Sequence, residues 1–199
     1  MKFKAHKGLY DYAGRYKYLT FASLFLSGAS AVLALMPFVY IWFMIRDVID
    51  AAPNFARAEN LAYYGWMAVL FAVLAILVYV AGLMCSHIAA FRVAANIRKE
   101  TLDHVVKLPV GAFDEIGSGK VRKIIDESSA ATETHLAHNL PDLVGAIVTP
   151  LAMIAMMFVF DWRLGLASLF PVVCAFLIMT KMTGAGMEEK MKQYNDALM

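Results

Sequence analysis

Four long stretches of this chain contain no aspartate, glutamate, lysine or arginine, and they limit what it can fold into. They are residues 18–45, 60–91, 143–160 and 164–180, with lengths of 28, 32, 18 and 17. A helix needs about 20 apolar residues to cross a hydrocarbon core about 30 Å thick. The first two stretches exceed that length, and the last two reach it once a few flanking residues are added. The sequence therefore predicts four transmembrane helices.

The composition excludes a water-soluble domain. Hydrophobic residues make up 61% of the chain, whereas a soluble domain has roughly 45–50% even with glycine counted. A β-barrel would need segments of alternating polarity, and the apolar stretches do not alternate. We therefore expect an all-α membrane protein. Its spans are predicted at about 18–45, 60–91, 140–160 and 162–180.

The lysines and arginines are distributed unevenly between the two sides of the membrane. Fifteen of the 18 lie before span one, between spans two and three, or after span four. The other three, Arg46, Arg57 and Arg163, lie in the remaining loops. Because positive loops stay in the cytoplasm, both ends of the chain are predicted to be cytoplasmic.

The segment 92–139 between spans two and three is too long for a simple loop. No proline occurs between Pro53 and Pro109, so one helix is predicted from about residue 61 to residue 108. A second helix is predicted to begin near Lys120 and to return to the membrane. The two form a cytoplasmic hairpin whose tip lies roughly 25–30 Å from the bilayer by helix rise. Such a hairpin suits contact with a soluble partner, and a self-contained hairpin without a partner is the alternative.

Several short motifs in and around this hairpin occur in a fixed order and spacing. They are Leu108-Pro109, Phe113-Asp114, Gly119, Asp126 and Asp161-Trp162-Arg163-Leu164. Together with the overlong helices, this order resembles the transmembrane domain of ATP-binding-cassette transporters of the exporter fold. The resemblance covers nearly the whole chain.

The resemblance implies a site, partners and cofactors. The hairpin tip would be a coupling helix that rests on nucleotide-binding domains, here Gly111, Ala112, Phe113, Asp114, Glu115 and Ile116. Phe113 would be its apolar anchor, and Asp114 could cap the helix. A second transporter half, identical or different, would complete the pathway in a bacterial inner membrane. ATP and magnesium would bind the nucleotide-binding domain of the parent protein.

The family has six spans and, in most members, an ATPase domain, so a four-span chain is expected to be a fragment of a longer gene product. In such a fragment, small residues would face missing helices. They are Gly28, Ala31, Gly145 and Ala146.

A narrower similarity points to a bacterial branch that handles siderophores, including yersiniabactin-type importers. It rests on residues 138–142, Thr149-Pro150, residues 160–165 and the terminal residues 194–199. This similarity implies an iron–siderophore complex, or another amphipathic small molecule, as the substrate.

The sequence lacks convincing motifs for ATP hydrolysis and for metal binding. A P-loop needs G-x-x-x-x-G-K-[ST], and around Gly119-Lys120 the first glycine position holds Asp114 while Val121 replaces the serine or threonine. The chain is thus expected to contain no ATPase or other cofactor site. His135 and His138 lack a convincing third metal ligand, so no metal site is predicted.

Two functions from different classes remain. The first is the membrane half of an ATP-driven transporter, which would hydrolyse ATP only as a complete protein. The alternative is a four-span membrane scaffold that recruits a cytosolic partner through its helical hairpin. The net charge of +2 follows from the positive-inside bias, so nucleic acid is not an expected partner.

Overall fold

The computed structural model describes residues 12–109, 111, 117–182 and 185–197. Within these ranges the chain is helical and contains no β-strand. The helices are α1 (Lys17–Leu33), α2 (Met36–Ala51), α3 (Leu61–Val105), α4 (Ser118–Thr134), α5 (Leu140–Phe160), α6 (Trp162–Met182) and α7 (Ala185–Ala197), with a π-helix at His135–Asn139 and 3₁₀ turns at Gly14–Tyr16 and Phe55–Arg57.

Four helical segments of the described chain are long and apolar enough to cross a membrane. They are Gly14–Ala51, Leu61–Val105, Ser118–Phe160 and Trp162–Met182. The predicted fold class, an all-α multi-pass membrane protein, is therefore confirmed. The positions of the membrane edges within these helices stay predictions.

Span one is not the single helix that its charge-free stretch predicts. It breaks at Ala34–Leu35 between α1 and α2 because Pro37 has no N–H to donate to the carbonyl four residues earlier. At the break, the Leu35 N–H donates a hydrogen bond of 3.1 Å to Val32 O, three residues earlier, so the chain turns more tightly than in an α-helix. Helix α2 then restarts with Pro37 in its first turn, where a missing N–H costs nothing.

The long helix predicted from residue 61 to residue 108 is confirmed as α3, which has 45 residues and ends at Val105. At 1.5 Å per residue it is about 67 Å long, more than twice the thickness of the bilayer core. The return helix α4 begins at Ser118, two residues before the predicted start.

The chain divides into two compact units, residues 1–149 and residues 150–199. In the first unit, α1 and α3 pack along a seam of small residues. Its buried members include Ser23 and Ser27 on α1, which lie against Gly82 on α3. Small side chains let helix backbones approach closely, which is how membrane helices gain contact when water no longer drives their association.

Two glycines that were expected to face missing helices instead face their own chain. A Cβ on Gly28 would lie 3.5 Å from Val144, and one on Gly145 would lie 4.0 Å from Ser27 Oγ. At these two positions α1 and α5 lie close together. The expectation that Gly28 and Gly145 face missing helices is therefore wrong.

The second unit contains the short turn between the third and fourth predicted spans. Only Asp161 is non-helical there, and its Oδ1 accepts a hydrogen bond of 2.8 Å from the Arg163 N–H. This is the N-cap geometry that aspartate favours at a helix start. The side chain therefore begins α6 one residue after α5 ends.

The closest backbone approach in the seam predicts a difference between two glycine-to-alanine variants. A Cβ on Gly82 would lie 3.0 Å from Leu26 Cβ, whereas the nearest atom to one on Gly65 is 4.0 Å away. Both variants gain the same helix propensity, but Gly82→Ala also overpacks the seam. We expect Gly82→Ala to be about 1–3 kcal/mol less stable than Gly65→Ala, measured by unfolding in mixed micelles. Equal stabilities would contradict the seam.

Candidate functional site: a helical hairpin and a membrane cavity

The hairpin between spans two and three has two arms that pack on each other. The first arm is the end of α3, and the second is α4 followed by the π-helix. Val93 on α3 packs with Leu136 and Ala137 of the π-helix, and all three are nearly inaccessible. Arg98 approaches Glu133 across the arms at 3.9 Å. The buried apolar base is the main support of the hairpin, since a solvent-accessible ion pair contributes only about 0–1 kcal/mol.

The N-terminal segment is tied to the same base. Asn96 Nδ2 on α3 donates a hydrogen bond of 2.9 Å to Tyr12 O, and the Arg92 guanidinium lies 5.7 Å from the centre of the Tyr16 ring. Ala13 is buried in the cluster around Val93. Three segments therefore converge where the hairpin leaves span two.

The predicted coupling helix is only partly within the described residues. Gly111 is described and exposed, whereas Ala112, Phe113, Asp114, Glu115 and Ile116 lie outside the described residues. The flanks of the tip are described: Leu108 and Pro109 follow α3 and are exposed, and Gly117 precedes α4 with a positive φ of 77°. The assignment of residues 111–116 stays a prediction.

A shallow groove of about 380 Å³ lies between the arms near the tip. Its apolar floor comes from both arms, and its rim is charged. The lining residues are Arg98, Leu102 and Val105 on α3 and Ser118, Val121, Arg122, Ile125 and Asp126 on α4.

A proline at the base of the second arm changes the helix there. Pro141 has no N–H, so the Ala137 carbonyl lacks the donor that a regular helix would supply four residues later. The backbone widens into the π-helix His135–Asn139, in which the Leu140 N–H donates to His135 O five residues earlier. Such π-helical turns are frequent at functional sites.

Two serines from other spans hydrogen-bond to this irregular backbone. Ser86 Oγ on α3 lies 3.0 Å from Ala137 O, the carbonyl affected by the proline, and 2.8 Å from Leu83 O in its own helix. Ser27 Oγ on α1 donates to Pro141 O at 2.8 Å. We call Ser27, Ser86, Ala137 and Pro141 the serine–proline clasp, because they join α1, α3 and the start of α5.

A cavity of about 380 Å³ lies beside the clasp in the first unit. Small and apolar side chains form most of its wall, and Asp142 supplies its charged group. It is lined by Ser27, Ser30, Ala31 and Ala34 of span one, Ala75, Ile76 and Tyr79 of span two, and Pro141, Asp142 and Gly145 of span three. Sequence reasoning missed this cavity because residues of three distant segments form it.

His135 and His138, the pair considered above as metal ligands, have different neighbours in the structure. His138 meets His87 of α3, with ring centres 4.9 Å apart, and His87 also lies beside Phe91. His135 instead approaches the Asn139 side chain at 3.5 Å. Over the part of the chain that the structure describes, no group of three or more His, Cys, Asp or Glu side chains could hold a metal ion.

Comparison with known protein families finds a match over most of the chain. A family model described as the ABC transporter transmembrane region matches residues 19–198. This match covers most of the chain and both units.

Three curated relatives are similar in sequence. The mycobactin import ATP-binding/permease protein IrtA of Mycobacterium tuberculosis is 30% identical over 164 residues, which are 80% of this chain and 19% of that protein. IrtA of Mycolicibacterium thermoresistibile is 29% identical over 79% of this chain and 17% of that protein. A multidrug resistance ABC transporter ATP-binding and permease protein of Lactococcus lactis is 28% identical over 53% of this chain and 19% of that protein. The chain thus spans less than a fifth of the length of these relatives.

The clasp predicts that two substitutions are not additive. Ser86→Ala alone should lower the free energy of unfolding by about 0.6–1.7 kcal/mol, the range for hydrogen bonds between membrane helices. In a Pro141→Ala background the restored N–H serves the Ala137 carbonyl, so Ser86→Ala should cost much less. A double-mutant cycle in mixed micelles measures this coupling.

Ser23→Ala is the matched control, since Ser23 Oγ bonds to Thr20 O within its own helix. Additive costs at Ser86 and Pro141 would contradict the clasp.

Proposed function

The chain belongs to the ABC transporter transmembrane family, and from this premise we propose that it forms the substrate pathway of an ATP-driven transporter. In this proposal its hairpin couples the pathway to ATP hydrolysis in a nucleotide-binding domain. The nucleotide-binding domain holds ATP and magnesium, and this chain supplies the membrane part.

The hairpin is the observation that carries the proposal. Its first arm is continuous with span two over the 45 residues of α3, so a displacement of the end of this arm reaches the membrane through a single helix. The second arm leads through the π-helix into α5. A packed pair of long helices suits the transfer of a domain movement into the spans as a rigid lever that turns about a hinge.

The tip is the proposed contact with the nucleotide-binding domain. In this assignment Gly111–Ile116 forms the coupling helix, with Phe113 inserted as an apolar anchor and Asp114 capping the helix. The exposure of the flanking residues Leu108 and Gly117 supports a partner contact at this end of the hairpin.

The proposed assembly pairs this chain with a second, identical or different, transporter half. The proposed location is the bacterial inner membrane, with both ends of the chain in the cytoplasm. The distribution of basic residues supports this orientation, since 15 of 18 lie on the hairpin side.

The proposed substrate is an amphipathic small molecule such as an iron–siderophore complex. The printed function of the mycobacterial relatives, mycobactin import, supports the siderophore class. The similarity to a multidrug resistance transporter supports the broader class of amphipathic molecules.

The coupling assignment predicts a specific defect at Phe113. In the transporter assembled with its nucleotide-binding domains, Phe113→Ala should remove the anchor and lower transport at least tenfold. ATP hydrolysis should continue, uncoupled from transport, and membrane insertion should be unchanged. Parallel assays of ATP hydrolysis and substrate uptake in proteoliposomes measure the two activities.

Phe25→Ala is the matched control, because Phe25 is an exposed side chain in span one, 76% accessible, far from the hairpin tip. It should leave both activities close to those of the wild type. Undiminished transport in Phe113→Ala would overturn the coupling assignment.

A further inference from the structure

A pair of histidines joins α3 to the π-helix directly beside the clasp. The His87 and His138 rings meet edge to face, with their centres 4.9 Å apart and their planes at 81°. These histidines follow Ser86 and Ala137 in the chain, the residues whose hydroxyl and carbonyl oxygens lie 3.0 Å apart. Two neighbouring contacts therefore hold one turn of the π-helix against one turn of α3.

The pair lies at the hairpin end of span two, where protons can reach it. His87 precedes Arg92, the basic end of the span, by five residues, which is about 7.5 Å along the helix. His87 is half-buried beside Phe91, whereas His138 is exposed. The two rings can therefore exchange protons with the solution on the hairpin side of the membrane.

Neither histidine is paired with a carboxylate in the described part of the chain. Glu133 approaches Arg98 instead, at 3.9 Å. The titratable and charged side chains on the segments packed around the pair are Cys85 and Arg92 on α3, Glu133, His135 and Asp142 on the second arm and the start of α5, and Tyr12, Arg15, Tyr16 and Lys17 in the N-terminal segment. In the observed arrangement, a second positive charge on the pair thus lacks a direct partner.

Protonation changes the balance of this contact. Imidazole groups ordinarily change charge between pH 5 and pH 8. Edge-to-face packing suits neutral rings, whereas two imidazolium rings at the same separation repel each other. The packed arrangement therefore accommodates fewer protons than one in which the rings have separated. Because a fall in pH favours the state that binds more protons, acid should separate the rings.

The groups around the pair are suited to both arrangements. The single hydrogen of the Ser86 hydroxyl has two acceptors, Ala137 O at 3.0 Å and Leu83 O of its own helix at 2.8 Å. It can pass wholly to Leu83 when the π-helix moves away. Asp142 lies four residues after His138, a spacing at which opposite charges attract on one helix. A charged His138 is thus repelled by His87 and drawn towards Asp142.

We infer that His87 and His138 form a pH-sensitive latch at the base of the hairpin. While at least one ring is neutral, the latch holds the second arm against α3 and the hairpin is rigid. When both rings are protonated, the latch opens and the second arm loosens. The effect on transport rests on the proposed coupling function, whereas the latch is a property of this chain and is tested without nucleotide-binding domains. The two can therefore fail separately.

A purely structural contact makes a different prediction. If the rings only packed together, the coupling between them would stabilise the protein by the same factor at every pH. The pH dependence of the ring–ring coupling separates the two roles.

A double-mutant cycle with His87→Gln and His138→Gln, carried out at pH 8 and at pH 5, measures this coupling. The unfolding constant of the purified full chain is determined in mixed micelles for the wild type, both single variants and the double variant. Between pH 8 and pH 5 the coupling should change by about tenfold in the destabilising direction, since two positive charges come to lie close together. Titration of groups that do not interact with the pair cancels in the cycle.

The control cycle uses His135→Gln in place of His138→Gln, because His135 approaches Asn139 rather than His87. Its coupling to His87 should be close to zero at both pH values. The latch would be overturned by a His87–His138 coupling that is the same at pH 8 and pH 5, or by an equal change in the control cycle.

A second measurement keeps both histidines in place. In the full chain with the free cysteines replaced, as Cys85→Ala and Cys174→Ala, spin labels at Val106 and Lys123 report the distance between the two arms. The distance distribution should be narrow at pH 8 and broad at pH 5, and His138→Gln should keep it narrow at pH 5. A distribution unaffected by pH, or broadening that persists in His138→Gln, would show that these histidines do not control the arm.

Discussion

The structure of the first unit depends on one backbone carbonyl that its own helix leaves without a donor. In a hydrocarbon environment every backbone polar group must find a partner within the protein. Pro141 removes the partner of the Ala137 carbonyl, and Ser86 of α3 supplies another at 3.0 Å. The Ser27 hydroxyl of α1 donates a hydrogen bond to the nearby carbonyl of Pro141 itself. The Ser86 hydroxyl, shared with Leu83 O of its own helix, thus offers the Ala137 carbonyl a donor from a second span, and Ser27 adds a hydrogen bond from a third.

The clasp adjoins both the base of the hairpin and the cavity. The hairpin arms leave the membrane on one side of it, since Leu136 and Ala137 pack on Val93 at the base of the arms. The cavity lies on the other side and shares Ser27 and Pro141 with the clasp. A movement of the second arm therefore reaches the cavity wall through the π-helix. This arrangement gives the proposed coupling a physical route through packed residues and hydrogen bonds.

The sequence alone predicts the features that depend on local pattern. Charge-free stretches predict the four spans, and the absence of proline after Pro53 predicts the length of α3. Pro37 lies within an apolar stretch that predicts a continuous helix, and Pro141 lies just before one, so the break in span one and the π-helix are not predicted. Ser86 is 51 residues from Ala137, so no local pattern reveals the clasp, nor the cavity beside it. The coupling helix at 111–116 stays a prediction, because residues 112–116 lie outside the described residues.

In the proposed mechanism the hairpin moves as one rigid unit between the nucleotide-binding domain and the spans. Spin labels at Val106, at the end of the first arm, and at Lys123, on the second arm, test it in the assembled transporter by pulsed electron resonance. Val106 is 82% accessible and Lys123 is exposed, so both positions tolerate a label. A rigid hairpin should give one narrow distance that is the same without nucleotide, with ATP and during turnover. A distance that shifts or broadens with nucleotide would show that the arms move against each other and would contradict it.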